Sequence, residues 1–220
     1  MGSDNGTKYL DSGLPQMTED EKKPKYTSVF TFTIIPFAIG LAIAFAIYFF
    51  GSTTVYNQRI VALTKNDLQW AFAAVVVLGR VVTFVNLYPM VHKSQIVKGS
   101  SGNLRSNPFI YKLIGKDAPV NAVVFEDEGA VGAYNRANRS LHHMIENYAV
   151  VVAGLYLAST VFPFPVFLLT CMFGIGRIMH QVGYSSGYGG HGTGFALTLV
   201  AQVTLEGLLA LVFLKSQKFF

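Results

Sequence analysis

Cysteine, tryptophan and charge are what this 220-residue chain has least of. With Cys171 alone, no intramolecular disulfide is possible, and the redox compartment stays open. Charged residues make up 13% of the chain against 51% hydrophobic, where a soluble domain carries about 25% charged residues. Such scarcity excludes an ordinary soluble domain. No basic stripe with interleaved aromatics occurs, which argues against a nucleic-acid partner. No h-region follows an early basic cluster, so residues 1–28, polar and of both charge signs, are expected to be a disordered tail and not a cleavable signal peptide. Met1-Gly2-Ser3 hints at myristoylation, but Gly6 stands where that pattern wants Ser or Thr. No internal repeat is visible.

Long apolar runs take the place of charge. Phe30–Phe50 holds 21 residues without a charge, enough to cross a hydrocarbon core of about 30 Å. Comparable runs follow, and they predict an all-α membrane protein with five spans at 29–50, 67–91, 137–161, 166–186 and 194–214. Pro36 should fall in the first turns of the first span, where proline is best tolerated. Gly79-Arg80 should interrupt the second. The short Phe162-Pro163-Phe164-Pro165 turn makes the third and fourth spans antiparallel neighbours.

Loop charges set the expected orientation. The tail (Lys8, Lys22, Lys23, Lys25) and the loop 92–136 (Lys93, Lys98, Arg105, Lys112, Lys116, Arg136) carry ten lysines and arginines. The other side carries four: Arg59, Lys65, Lys215 and Lys218. Tail and long loop are therefore expected in the cytosol, and much of the net charge of +5 is a topology signal. The loop is a solvated connection or a lid over the third span. Glycosylation patterns at Asn138-Arg139-Ser140 and Asn5-Gly6-Thr7 fall on the cytosolic side and are chance matches.

Within the spans, charge is limited to Arg80, Glu146, Arg177 and Glu206, with Arg139 near a helix end. Ionisable groups at such depth mark function or pairing. Arg139, His142 or His143, and Glu146 recur at i, i+3 or i+4, and i+7, one face of a helix. In "GRIMHQVGY", Arg177, His180 and Tyr184 do the same. Two antiparallel helices with such stripes can enclose one polar pocket, shared by Arg139, Glu146 and Arg177. Two readings compete: the charges neutralise one another as interhelical glue, or His143 and His180 ligate a haem, which leaves the arginines and the glutamate unexplained.

"YNRANRSLHHMIENY" resembles the second-helix signature of the MAPEG family, the membrane-associated proteins in eicosanoid and glutathione metabolism. Tyr134, Arg136, Arg139 and Glu146 stand in register with it. "GRIMHQVGY" is similar to the family's third-helix stretch, glycine-arginine, then histidine, then tyrosine. The resemblance covers about residues 67–214 as a MAPEG-like four-helix transmembrane bundle, and is nearer the microsomal glutathione transferase branch than the leukotriene-C synthase branch. The tail and the span at 29–50 are extra to that pattern.

The resemblance implies a homotrimer that binds glutathione as co-substrate in a cytosol-facing cleft between subunits. The implied binding residues are Arg139 on a carboxylate, Glu146 on the γ-glutamyl ammonium, and His143, Arg177, His180 and Tyr184 around them. His143 stands where the family has asparagine. Catalytic members carry an arginine at the start of the last helix; Thr193 occupies that place here, and no Lys or Arg lies between Tyr184 and Leu214. His191, with Tyr184, is then the candidate for thiolate stabilisation. The implied activity is transfer or peroxide reduction on a lipophilic electrophile or lipid hydroperoxide. The alternative is a binder without catalysis, a subunit of a larger membrane assembly. The implied membrane is the endoplasmic reticulum, or else a mitochondrial or plastid membrane. No metal site is expected.

Overall fold

A computed structural model describes residues 16–96 and 128–219. The lid expectation, Asn5 and most of the basic loop lie outside these residues. The described chain forms seven helices: α1 (Tyr26–Phe50), α2 (Thr53–Thr64), α3 (Gln69–Leu87), α4 (Pro89–Lys93), α5 (Gly129–Ser159), α6 (Pro163–Ser186) and α7 (Gly192–Ser216). The protein is an all-α membrane protein, a four-helix bundle of α3, α5, α6 and α7 with an added N-terminal helix.

α1, α3 continued through α4, α6 and α7 are each long and apolar enough to cross a membrane. α5 is not in that group because Arg136, Arg139, His142, His143 and Glu146 occupy residues 136–146. Its 31 residues nevertheless span about 46 Å, more than a hydrocarbon core. It runs antiparallel along α6, from Arg136 bonded to the Ser185 carbonyl at one end to Ala158 clustered with Val166 at the other. Wherever α6 crosses, α5 crosses with it, leaving its polar first turns at one mouth of the bundle.

Several local expectations are corrected. α5 begins at Gly129, not at 137, so the polar stripe sits well inside a continuous helix. α2 was not foreseen: its Gln58 and Arg59 break the apolar run, yet Thr53 opens a helix by donating its hydroxyl to the Tyr48 carbonyl at 2.8 Å. Gly79-Arg80 does not interrupt α3. A lone glycine costs a helix only about 1 kcal/mol, which the flanking valines and leucines withstand. Pro36 lies inside α1, because that helix starts at Tyr26. Having no N–H, Pro36 cannot bond the carbonyl of Phe32.

The core is organised around α6. On one side it meets α3, with Trp70 against Phe164 at 4.7 Å between ring centroids. On the other it meets α5 and α7 through Val151, Leu155, Phe173, Ala201 and Leu205. The α6–α7 approach depends on glycine. A Cβ on Gly194 would stand 2.7 Å from the Gly176 carbonyl oxygen and nearer still to the His180 amide, and one on Gly183 would overlap the Gly190 carbonyl. Gly194→Ala should therefore cost about 1–3 kcal/mol as an overpacking change. Gly207→Ala, whose Cβ meets nothing within 4 Å, should cost nothing. Thermal unfolding of the two variants in detergent checks this.

Candidate functional site

The polar stripes of α5 and α6 meet near the end of the bundle that α7 enters. Arg177 is 1% exposed. Its Nη2 donates to the Ser140 carbonyl at 2.6 Å and its Nη1 to His143 Nδ1 at 3.0 Å. A guanidinium can only donate, so His143 Nδ1 is the acceptor and the neutral ring carries its proton on Nε2. Ser140 Oγ lies 2.7 Å from His180 Nδ1, which orients the second imidazole. One turn further along α6, Gln181 Nε2 donates to the Ala137 carbonyl at 2.9 Å. α5 and α6 are thus laced by side chains of one helix bonding the backbone of the other.

The lacing stacks the rings. His143 and His180 lie 5.5 Å apart between centroids with 25° between planes, and His180 and Tyr184 repeat both values. His191, at the start of α7, stands edge-on to His180 at 5.4 Å and to Tyr184 at 5.0 Å. Phe195, one turn along α7, faces His143 at 6.0 Å. Arg139, His143, His180, Tyr184, His191 and Phe195 line an open cleft of about 200 Å³. No carboxylate is among these lining residues.

The structure thus brings together five of the seven residues expected from the sequence and seats two elsewhere. Arg177 is not on the cleft surface: it lies behind His143, supplying charge and orientation from within. Glu146 faces outward, where its Oε1 accepts from Arg139 Nη1 at 2.7 Å, with both side chains about half exposed (54% and 55%). The single shared pocket for Arg139, Glu146 and Arg177 is corrected accordingly. Of the two adjacent histidines, His143 turns to the cleft and His142 outward. Thr193 is exposed on the first turn of α7 and does not line the cleft. Asn138, the asparagine of the chance glycosylation match in the third span, is fully buried and donates to the Tyr134 carbonyl at 3.2 Å.

Two functional residues escaped the sequence reading. Phe195 has the signal of standing at i+4 from His191 on one face of α7. Ser140 has the signal of sharing a face with Ala137, Leu141 and Met144, all buried. The haem alternative does not fit the geometry: the two imidazoles lie face to face, not nitrogen to nitrogen, and each Nδ1 is engaged by a protein group.

The cleft can take an anion. Arg139 offers a charged donor at the rim and His143 a neutral N–H donor. α7 begins beside His191 without a side-chain cap, so its first backbone N–H groups and its positive dipole end point to the same region. His191 Nδ1 is buried without a hydrogen-bond partner among the described residues. Phe195 and the ring edges of His180 and Tyr184 add an apolar wall.

Removing the buried guanidinium tests this arrangement. Arg177→Met deletes two hydrogen bonds from a charged donor, each worth about 1.5–3 kcal/mol, and frees the His143 ring. Thermal stability should fall by several degrees, and the imidazole NMR signals of His143 and His180 should broaden together.

Residues 114–211 match the model of the MAPEG family. No curated protein matches the chain.

Proposed function

Since residues 114–211 match the model of the MAPEG family, a membrane family of glutathione and eicosanoid metabolism, we propose that this chain binds glutathione in the α5–α6–α7 cleft and uses the thiol on a lipophilic co-substrate. The observation that carries the reading is a cationic, carboxylate-free cleft with a helix N-terminus at its back. Glutathione brings two carboxylates, an ammonium and a thiol. Arg139 leaves Glu146 to fork onto a carboxylate, and Glu146, thereby freed, takes the ammonium. His143 donates Nε2–H to the second carboxylate. Tyr184 and His180 hold the peptide against the ring column. Arg177 does not touch the ligand; it keeps His143 in the donating tautomer.

The thiol then lies near His191. A thiol ionises near pH 8.5 and must be brought lower to react near pH 7. His191 and the uncapped N–H groups of α7 stabilise the thiolate in place of the family arginine. In transfer, the sulfur bonds an electrophilic carbon and a leaving group departs with its electron pair. In peroxide reduction, the sulfur takes the distal oxygen and releases an alcohol, and a second glutathione resolves the sulfenic acid to disulfide and water. The cleft faces the cytosolic glutathione pool from an internal membrane, in the simplest case the endoplasmic reticulum. Neighbouring copies in a homotrimer wall the open side.

Thr193 favours a second reading, in which the protein binds glutathione or a lipid without turning it over, as a subunit of a larger membrane assembly. Calorimetric glutathione binding and conjugation kinetics on the same preparation separate the two. On the enzyme reading, His191→Ala lowers kcat by about 10²–10³, as for a lost oxyanion-type donor, while the Kd for glutathione holds within about twofold. On the second reading the parent binds without turnover, and Thr193→Arg creates activity. No binding to the parent, or Arg139→Ala binding as well as the parent, overturns both.

A further inference from the structure

Of the charges along the spans, three have partners in and around the cleft. Arg139 pairs with Glu146, and Arg177 is held by Ser140 and His143. Arg80 on α3 and Glu206 on α7 remain. Arg80 Nη1 donates to the Thr33 carbonyl at 3.0 Å, and the guanidinium lies 4.8 Å from the centre of the Phe37 ring. Among the described residues no carboxylate pairs with Arg80, and no cation pairs with Glu206, which stands on the exposed side of α7.

The two charges occupy one depth. Tyr88 meets Ser185, and Val81 lies where a Cβ on Gly174 would be, so α3 runs parallel to α6 and Arg80 is level with about Phe173. Leu205 shares a small cavity with Leu169 and Thr170, which puts Glu206 level with Leu169. The backbones of Arg80 and Glu206 are then separated along the bundle axis by about one turn, roughly 5.4 Å. Side chains tilt toward the N-terminus of their own helix. α3 and α7 are antiparallel, so the head of Arg80 leans away from the cleft end, toward Phe37, and that of Glu206 leans toward it. The heads converge.

They cannot meet within one chain, because α6 stands between α3 and α7. Each opens instead on an outer groove. Arg80 lies in a groove of about 440 Å³ between α1 and α3, walled by Pro36, Phe37, Gly40 and Leu41. Glu206 lies in the α5–α7 groove with Val150 and Gln202. Phe195, Gln202 and Glu206 fall at i, i+7 and i+11, one face of α7, so the surface bearing Glu206 continues into the open side of the cleft.

We propose that Arg80 of one copy and Glu206 of the next form an ion pair inside the membrane, with α7 of one copy seated along the α1–α3 groove of its neighbour. The contact is heterologous: different surfaces meet, and its repetition closes a ring. It rests on the reading that the cleft is completed by a second copy, and it gives the added helix α1 a role, as one wall of the receiving groove. A charge with no partner in hydrocarbon is strongly disfavoured; here each copy carries one of each sign and satisfies both through its neighbours.

The test uses the full chain in lipid nanodiscs and mild detergent. By native mass spectrometry, Arg80→Glu and Glu206→Arg should each lower the assembled fraction tenfold or more. The double exchange should return it to within twofold of the parent. In a Cys171→Ala background, Thr83→Cys copies mixed with Val203→Cys copies should form an inter-chain disulfide on mild oxidation, and neither variant alone should do so. This crosslink decides the matter even where a single charge reversal fails to fold. Assembly untouched by both single exchanges, or not recovered in the double, overturns the pair if the mixed crosslink is also missing. Co-purifying oleate that is lost on Arg80→Gln, with assembly intact, would assign the groove to a fatty-acid carboxylate and overturn it too. A monomeric parent sinks the shared cleft itself, whereas an assembled parent without the crosslink sinks only this ion pair.

Discussion

Arg177 carries a positive charge into the contact between α5 and α6, and what surrounds it follows from accommodating that charge. An arginine in an apolar helix is tolerated when carbonyl groups or polar side chains meet its donors. Here the Ser140 carbonyl and His143 Nδ1 do so. Meeting them sets the register of the two helices. Once Arg177 is opposite Ser140, His180 falls beside the Ser140 hydroxyl and Gln181 opposite the Ala137 carbonyl. A shift of one residue would rotate the α5 face by about 100° and abandon all of these bonds. The ring column of His143, His180 and Tyr184 is a consequence of that register.

A second constraint closes the cleft from the other side. Gly176, Gly183, Gly190 and Gly194 let α6 and α7 approach to backbone contact, which brings His191 against His180 and Phe195 against His143. The uncapped start of α7 thereby reaches the site. Where a side-chain cation is missing at this helix start, the helix end itself and an imidazole with an unpaired nitrogen occupy the region. The site is therefore electropositive through buried and backbone groups more than through groups at its surface.

The fold was largely legible because its signals are local. A run of apolar residues long enough for a bilayer is a helix almost regardless of context, since no other open structure satisfies its backbone in lipid. The 3.6-residue period likewise put Arg139 with His143, and Arg177 with His180 and Tyr184, on common faces. Legibility failed where two weak local preferences were balanced. Pro36 and Gly79 look like breaks, yet each sits inside a helix that long apolar flanks sustain. The start of α5 was placed eight residues late because its first turns are polar on one face, and the buried face of Val131, Tyr134 and Ala137 went unweighted.

By itself, then, the sequence determined the class of protein, the approximate spans and the two polar helix faces, because each depends on hydrophobicity and on the pitch of a single helix. The tertiary structure decided which side of each stripe looks where. It put Arg177 behind the cleft and Glu146 outside it, chose His143 over His142, and added Phe195 and Ser140 to the site. Those outcomes depend on the rotation and depth of helices relative to one another. Rotation and depth are set by a few contacts distant in sequence — a carbonyl under a guanidinium, a backbone against a glycine — which no periodicity within one helix encodes.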